Sequence, residues 1–149
     1  MLVARLSDAF APTNVKVLRL GPVRDLTAIY HAMDVLCLPS LREGFPNVVL
    51  EAAASGVPAI VSDATGCSDA VIDGLTGWTF ATGSATELRT CLTEACTTQG
   101  EMEERGRAAR ARVEKDFDRP IVWQRLIAFL DAGAVTDVAR SRSMERIDG

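Results

Sequence analysis

Two short apolar runs with a helix-compatible stretch between them restrict this chain more than any other feature. The first, Asp34-Val35-Leu36-Cys37-Leu38, has no helical period and is closed by Pro39. The second, Val57-Pro58-Ala59-Ile60-Val61, follows Gly56. Runs of this kind read as strands buried on both faces of a parallel sheet. Asn47 to Ser55 suits a helix, with Pro46 at its first position and Gly56 and Pro58 ending it. Strand, loop, helix, strand is the βαβ unit, so the chain is expected to be α/β, a parallel sheet with flanking helices. In open sheets of that type, ligands bind beyond the carboxyl ends of the strands.

The loop at that position is Glu43-Gly44-Phe45-Pro46-Asn47-Val48-Val49-Leu50-Glu51. The first N–H groups of a helix have no partners within it and carry the positive end of its dipole. Gly44 allows a ligand to come close to the main chain, so phosphate oxygens or sugar hydroxyls can meet amides directly. Glu43 and Glu51, with seven residues between them, can each accept two hydrogen bonds, which suits vicinal hydroxyls. A diphosphate flanked by sugars fits this pattern. So does a plainer arrangement, in which Glu51 is an exposed helix residue and Glu43 a loop charge.

Composition narrows the classes. A chain of 149 residues, 48% apolar, holds at most one domain and can build a core. The net charge is −4 and the only lysines are Lys16 and Lys115, which excludes a nucleic-acid surface. No apolar segment approaches the ~20 residues of a transmembrane span. Met1-Leu2-Val3-Ala4 is interrupted at Arg5 and Asp8, unlike a signal peptide, so the cytoplasm is expected. Cys37, Cys67, Cys91 and Cys96 show no paired Cys-x-x-Cys spacing, and His31 is the single histidine. Reduced thiols, no metal site and no histidine-based nucleophile follow. Cys37 is expected inside a buried strand, and His31 on an exposed helix position.

The rest reads as scaffold. Val15-Lys16-Val17-Leu18-Arg19-Leu20 is a further expected strand, followed by the turn Gly21-Pro22-Val23 and the helix Arg24 to Met33. Trp78-Thr79-Phe80 is another strand. Ser84-Ala85-Thr86-Glu87 forms a capping box, with Glu87 reaching back, and opens a helix to about Thr97. A second helix spans Glu101 to Phe117, with Glu101–Arg105 and Glu103–Arg107 as favourable pairs. The last helix runs from Ile121 to about Ala132. Trp123, Leu126, Ile127 and Leu130 share one of its faces and should dock on the core. From Gly133 a polar stretch without sustained period is expected to be a mobile tail.

Leu38-Pro39-Ser40, Arg42 through Ala52, Gly56-Val57-Pro58-Ala59-Ile60 and Asp73-Gly74-Leu75-Thr76-Gly77 occur in an order that resembles family 4 retaining glycosyltransferases. The similarity runs from about Val15 to about Phe129. Together with Thr65-Gly66-Cys67-Ser68-Asp69-Ala70-Val71, the wording is most like bacterial enzymes that build surface polysaccharides. The resemblance implies a Rossmann-like sheet, the carboxy-terminal donor-binding domain of the GT-B architecture. Residues 1–132 would be a partial nucleotide-sugar-binding domain and 133–149 the tail. Transfer of a hexose-type sugar from a nucleotide diphosphate sugar to an acceptor hydroxyl is implied, without metal or other cofactor. By the same resemblance Glu51 binds the ribose and Glu43 lies by the donor sugar as the catalytic carboxylate. Main-chain groups of Gly44, Phe45, Pro46 and Asn47 surround the sugar and diphosphate, although Pro46 has no N–H to donate. The turn at Gly21 and Val23 faces the base.

The chain also departs from that family. Two βα units with a phosphate-clamping Arg and Lys should precede the Val15 strand, and Met1 to Asn14 is too short for one unit of roughly 30 residues. The amino-terminal acceptor domain is expected to be missing too. The expectation is a fragment, inactive alone, whose partner is that domain or a companion chain, and whose full-length enzyme lies at the inner membrane periphery. A nucleotide-binding module without chemistry remains open. So does a generic parallel α/β domain, for which Asp63 and Asp69 supply acids but no matching lysine follows.

Overall fold

The computed structural model describes residue 18 and residues 20–144, with side chains up to 132 apart from Gln99. In chain order the elements are α1 (Thr27–His31), β1 (Leu36–Leu38), α2 (Asn47–Ala54), β2 (Ala59–Ser62), β3 (Gly77–Phe80), α3 (Ala85–Thr97), α4 (Gln99–Asp116) and α5 (Arg119–Met144). The sheet is parallel in the order β1-β2-β3, with Leu36 opposite Ala59, and Ile60 opposite Trp78.

β2 is central, and all four of its residues are buried. Alternation along the strand divides them between two layers. Ala59 and Val61 pack with Val49 of α2 and with Ala64, Cys67, Ala70 and Val71. Ile60 packs on the other face with Trp78, Phe80 and, from α3, Cys91 and Ala95. A third cluster joins Tyr30 of α1 to Ala52 and Val57.

Local chemistry sets the ends of α2. Pro46 occupies the cap position, one residue earlier than a first helical turn would place it. At the other end Gly56 takes φ +78°, with Gly56 N–H donating to Ala53 O and Val57 N–H to Ala52 O. That is the Schellman arrangement, and it sends the chain directly into β2.

α4 is held to β3 by a half-buried cation. Arg105 donates to Gly77 O (2.7 Å), pairs with Glu94 and Glu101 (both 3.3 Å) and lies 4.1 Å over the Trp78 ring. Several partners for one guanidinium offset the cost of removing it from water. Glu101–Arg105 therefore forms as expected, whereas Glu103–Arg107 is not an ion pair among the described residues.

Several sequence expectations need correction. Cys37 is exposed, because β1 bonds only to β2 among the described residues and is the edge of the sheet. Most of the expected 15–20 strand lies outside the described residues, and Leu18 and Leu20 belong to no strand. Glu87 does not reach back to Ser84. The Ser84 amide already donates to Ala81 O, so the carboxylate accepts from Ala81 N–H, while Ser84 Oγ accepts from Glu87 N–H as expected. Helical backbone continues past Ala132 to Met144, carried by residues that tolerate a helix. The tail beyond 144 lies outside the described residues. Trp123, Leu126, Ile127 and Leu130 do share a face, but they are exposed; among the described residues α5 makes its main contact with α4.

Candidate functional site

The loop after β1 and the entrance to α2 lie at the carboxyl edge of the sheet, where the turn after β2 also emerges. That turn braces the loop. Glu43 N–H donates to Thr65 O at 3.0 Å. Gly66, at φ +84°, stands so close that a Cβ there would meet Gly44 O at 2.5 Å and Glu43 O at 2.6 Å. Gly66 therefore serves both a left-handed turn and a close backbone approach.

The Glu43 side chain is also positioned. Ser62 Oγ, on buried β2, donates to Ser40 O, and Ser40 Oγ donates to Glu43 Oε1 at 2.6 Å. The central strand thus reaches the half-buried carboxylate through two serines. Burial pushes the Cys67 thiol pKa up, and nearby Glu43 adds to that. Cys67 is thereby an unreactive core thiol.

At the helix entrance the amides of Gly44, Phe45 and Val48 donate to no protein group among the described residues. Asn47 N–H turns back to Phe45 O (3.0 Å), and Val49 N–H bonds Pro46 O (2.9 Å). Of the four residues expected to offer main-chain groups, Gly44 and Phe45 present free N–H groups, and Val48 adds a third. Pro46 is buried and Asn47 exposed, so a polar contribution from Asn47 would come from its side chain. Phe45 packs against Phe117 at the end of α4, ring centroids 5.7 Å apart and the rings tilted by 36°.

Glu51 lies one turn along α2 and is exposed, not turned into the core. Its Oε2 accepts a 2.7 Å hydrogen bond from the hydroxyl of Tyr30, a residue only 5% exposed. Burial, and then the carboxylate itself, raise the tyrosine pKa well above its ordinary value, so the hydroxyl remains a donor at neutral pH. Tyr30 also lines an apolar cavity of about 270 Å³ together with Leu20, Val23, Leu26, Leu36 and Leu38. Val23 thus lines the same cavity as the tyrosine that bonds Glu51, while Gly21 is exposed and has open space around it.

Sequence reasoning named Glu43, Glu51 and the entrance between them, and missed Tyr30, Ser40 and Gly66 as their supports. Ser40 and Gly66 stood within recognisable blocks, and a glycine just after an apolar strand is a signal of close backbone approach. Tyr30 carried no such signal. His31 is exposed at the end of α1. No three His, Cys, Asp or Glu side chains converge as metal ligands among the described residues, and no described helix is long and apolar enough to cross a membrane.

Comparison with known proteins adds an independent line. Residues 4–97 match the family described as "Glycosyl transferases group 1". The capsular polysaccharide biosynthesis glycosyltransferase CapM of Staphylococcus aureus is 33% identical over 117 residues, covering 78% of this chain and 31% of the relative. Among solved structures, sucrose-phosphate synthase from Thermosynechococcus elongatus superposes with a TM-score of 0.67 at 28% identity. That match covers 74% of this chain and 28% of the synthase. The Anabaena protein HepE, solved in complex with UDP-glucose, gives a TM-score of 0.65 at 23% identity over 70% of this chain and 29% of HepE, a likeness of fold. The chain thus spans about a third or less of the length of these relatives. The Rossmann-like sheet is that of a GT-B glycosyltransferase domain.

Proposed function

The chain belongs to the glycosyl transferases group 1 family, and from that premise we propose that it is the nucleotide-sugar-binding part of a retaining glycosyltransferase. The reaction is transfer of a hexose-type sugar to an acceptor hydroxyl in polysaccharide biosynthesis. One observation carries this reading: three amides at the mouth of α2 that have no partner among the described residues, between a loop carboxylate and a helix carboxylate. Amides at a helix N-terminus suit the diphosphate, and their dipole stabilises the charge that grows on it as the sugar leaves. With that charge met by main-chain donors, the reading needs no resident metal or cofactor.

Glu51 accepts from the ribose hydroxyls. Glu43, held by Ser40 and Thr65, is the catalytic carboxylate, and its negative charge stabilises the positive charge that develops on the sugar. Gly21 and Val23 face the base, beside the apolar cavity. Gly44, Phe45, Pro46 and Asn47 enclose the sugar and diphosphate. CapM, by its name, serves capsular polysaccharide biosynthesis, and HepE was solved with UDP-glucose. The first supports glycosyl transfer in polysaccharide biosynthesis, and the second a sugar-nucleotide donor. The acceptor is supplied by an amino-terminal domain or a companion chain, in the cytoplasm and at the inner membrane periphery.

The test is calorimetric titration of the chain with uridine and guanosine diphosphates. One of them should bind, and Glu51→Ala should weaken it roughly tenfold, the loss of a charge-assisted hydrogen-bond pair. Equal affinity in the wild type and Glu51→Ala, or no binding of either nucleotide, would remove the reading.

A further inference from the structure

We propose that Tyr30 is a positioning residue that holds the Glu51 carboxylate in the orientation needed to receive a ribose. The inference rests on the reading of Glu51 as the ribose acceptor and extends it to a residue from another element.

An exposed glutamate on a helix ordinarily samples several rotamers. Glu51 has no ion-pair partner among the described residues, and its side chain makes one hydrogen bond, from Tyr30. The donor is rigid. Its ring is packed with Ala52 and Val57, against Leu26, Met33, Leu36 and Val48, so the hydroxyl emerges from the core at one place. The bond occupies one lone-pair position on Oε2. Oε1, and the second position on Oε2, remain for the two vicinal hydroxyls of a ribose. The tyrosine oxygen retains acceptor capacity at the same spot. Fixing a flexible side chain before the ligand arrives lowers the entropy lost on binding.

Tyr30→Phe removes the hydroxyl and keeps the packed ring. Affinities for uridine and guanosine diphosphates and for their 2′,3′-dideoxy forms are measured with the full chain as wild type, Tyr30→Phe and Glu51→Ala. For the nucleotide that binds, the wild type should prefer the ribose form, and Glu51→Ala should abolish that preference. Tyr30→Phe should reduce it roughly three- to tenfold, the scale of one newly mobile side chain, and leave affinity for the dideoxy form unchanged. A Tyr30→Phe protein with the wild-type preference overturns the inference alone, including the case in which both forms weaken equally. A wild type without any preference overturns the ribose reading of Glu51, and this role with it.

Discussion

The two sides of the sheet differ sharply in how completely they are packed. On the side of β3, α3 and α4, Ile60 is wholly buried among Trp78, Phe80, Cys91 and Ala95, and Arg105 ties α4 to the strand through Gly77 and to α3 through Glu94. On the side of β1, Leu18, Leu20 and Val23 line a cavity against an edge strand. α5 likewise presents Trp123, Ile127 and Phe129 to solvent. The candidate site lies on the seam. Glu43 leans on the well-packed region through Thr65, Gly66 and the serines, and Glu51 leans on α1 beside the cavity. One carboxylate is thus supported from the closely packed half, and the other by a buried tyrosine beside the cavity. The lesson is that the two need not respond alike to loss of packing.

Substitutions on either side test that contrast. The largest effect is expected for Ile60→Ala, which opens a cavity in the centre of the packed side. It should cost about 2–5 kcal/mol in chemical denaturation, and a cost under about 1 kcal/mol would mean that this side is not the more closely packed one. Gly66→Ala should come next. Both Gly66 and Gly74 adopt positive φ, but a Cβ at Gly74 meets open space, whereas one at Gly66 meets the Glu43–Gly44 backbone. Gly74→Ala should therefore show only the strain of a left-handed alanine, about 1 kcal/mol, and Gly66→Ala about 1–3 kcal/mol more from the clash. Equal costs at the two positions would show that the turn does not support the loop. The smallest effect is expected on α5. Phe129, 74% exposed, should be replaceable by Ser within about 0.5 kcal/mol, and a much larger loss of thermal stability would show the face to be covered.

Much of this was legible along the chain. Short apolar runs separated by a helix with Gly and Pro at its ends specify βαβ through strictly local rules, and β2, α2, β3, α3 and α4 all appear within a few residues of their expected places. The cysteines were partly legible. Cys91 and Cys96 divide between a buried and an exposed face, as helical spacing requires, but Cys37 is exposed because a run of apolar residues does not say which strand is the edge. The apolar face of α5 failed for a related reason. Periodicity identifies a face and is silent on what stands opposite it.

The order of elements, the loop at the carboxyl edge and the two glutamates bracketing a helix entrance were written in the sequence, because helix ends, turns and strand runs depend on neighbours a few residues away. The supports of those glutamates were decided only in three dimensions. Tyr30 meets Glu51 across 21 positions of chain and Ser62 meets Ser40 across 22. Hydrogen bonds of that reach depend on how helices and strands lean on one another, and packing sets that angle.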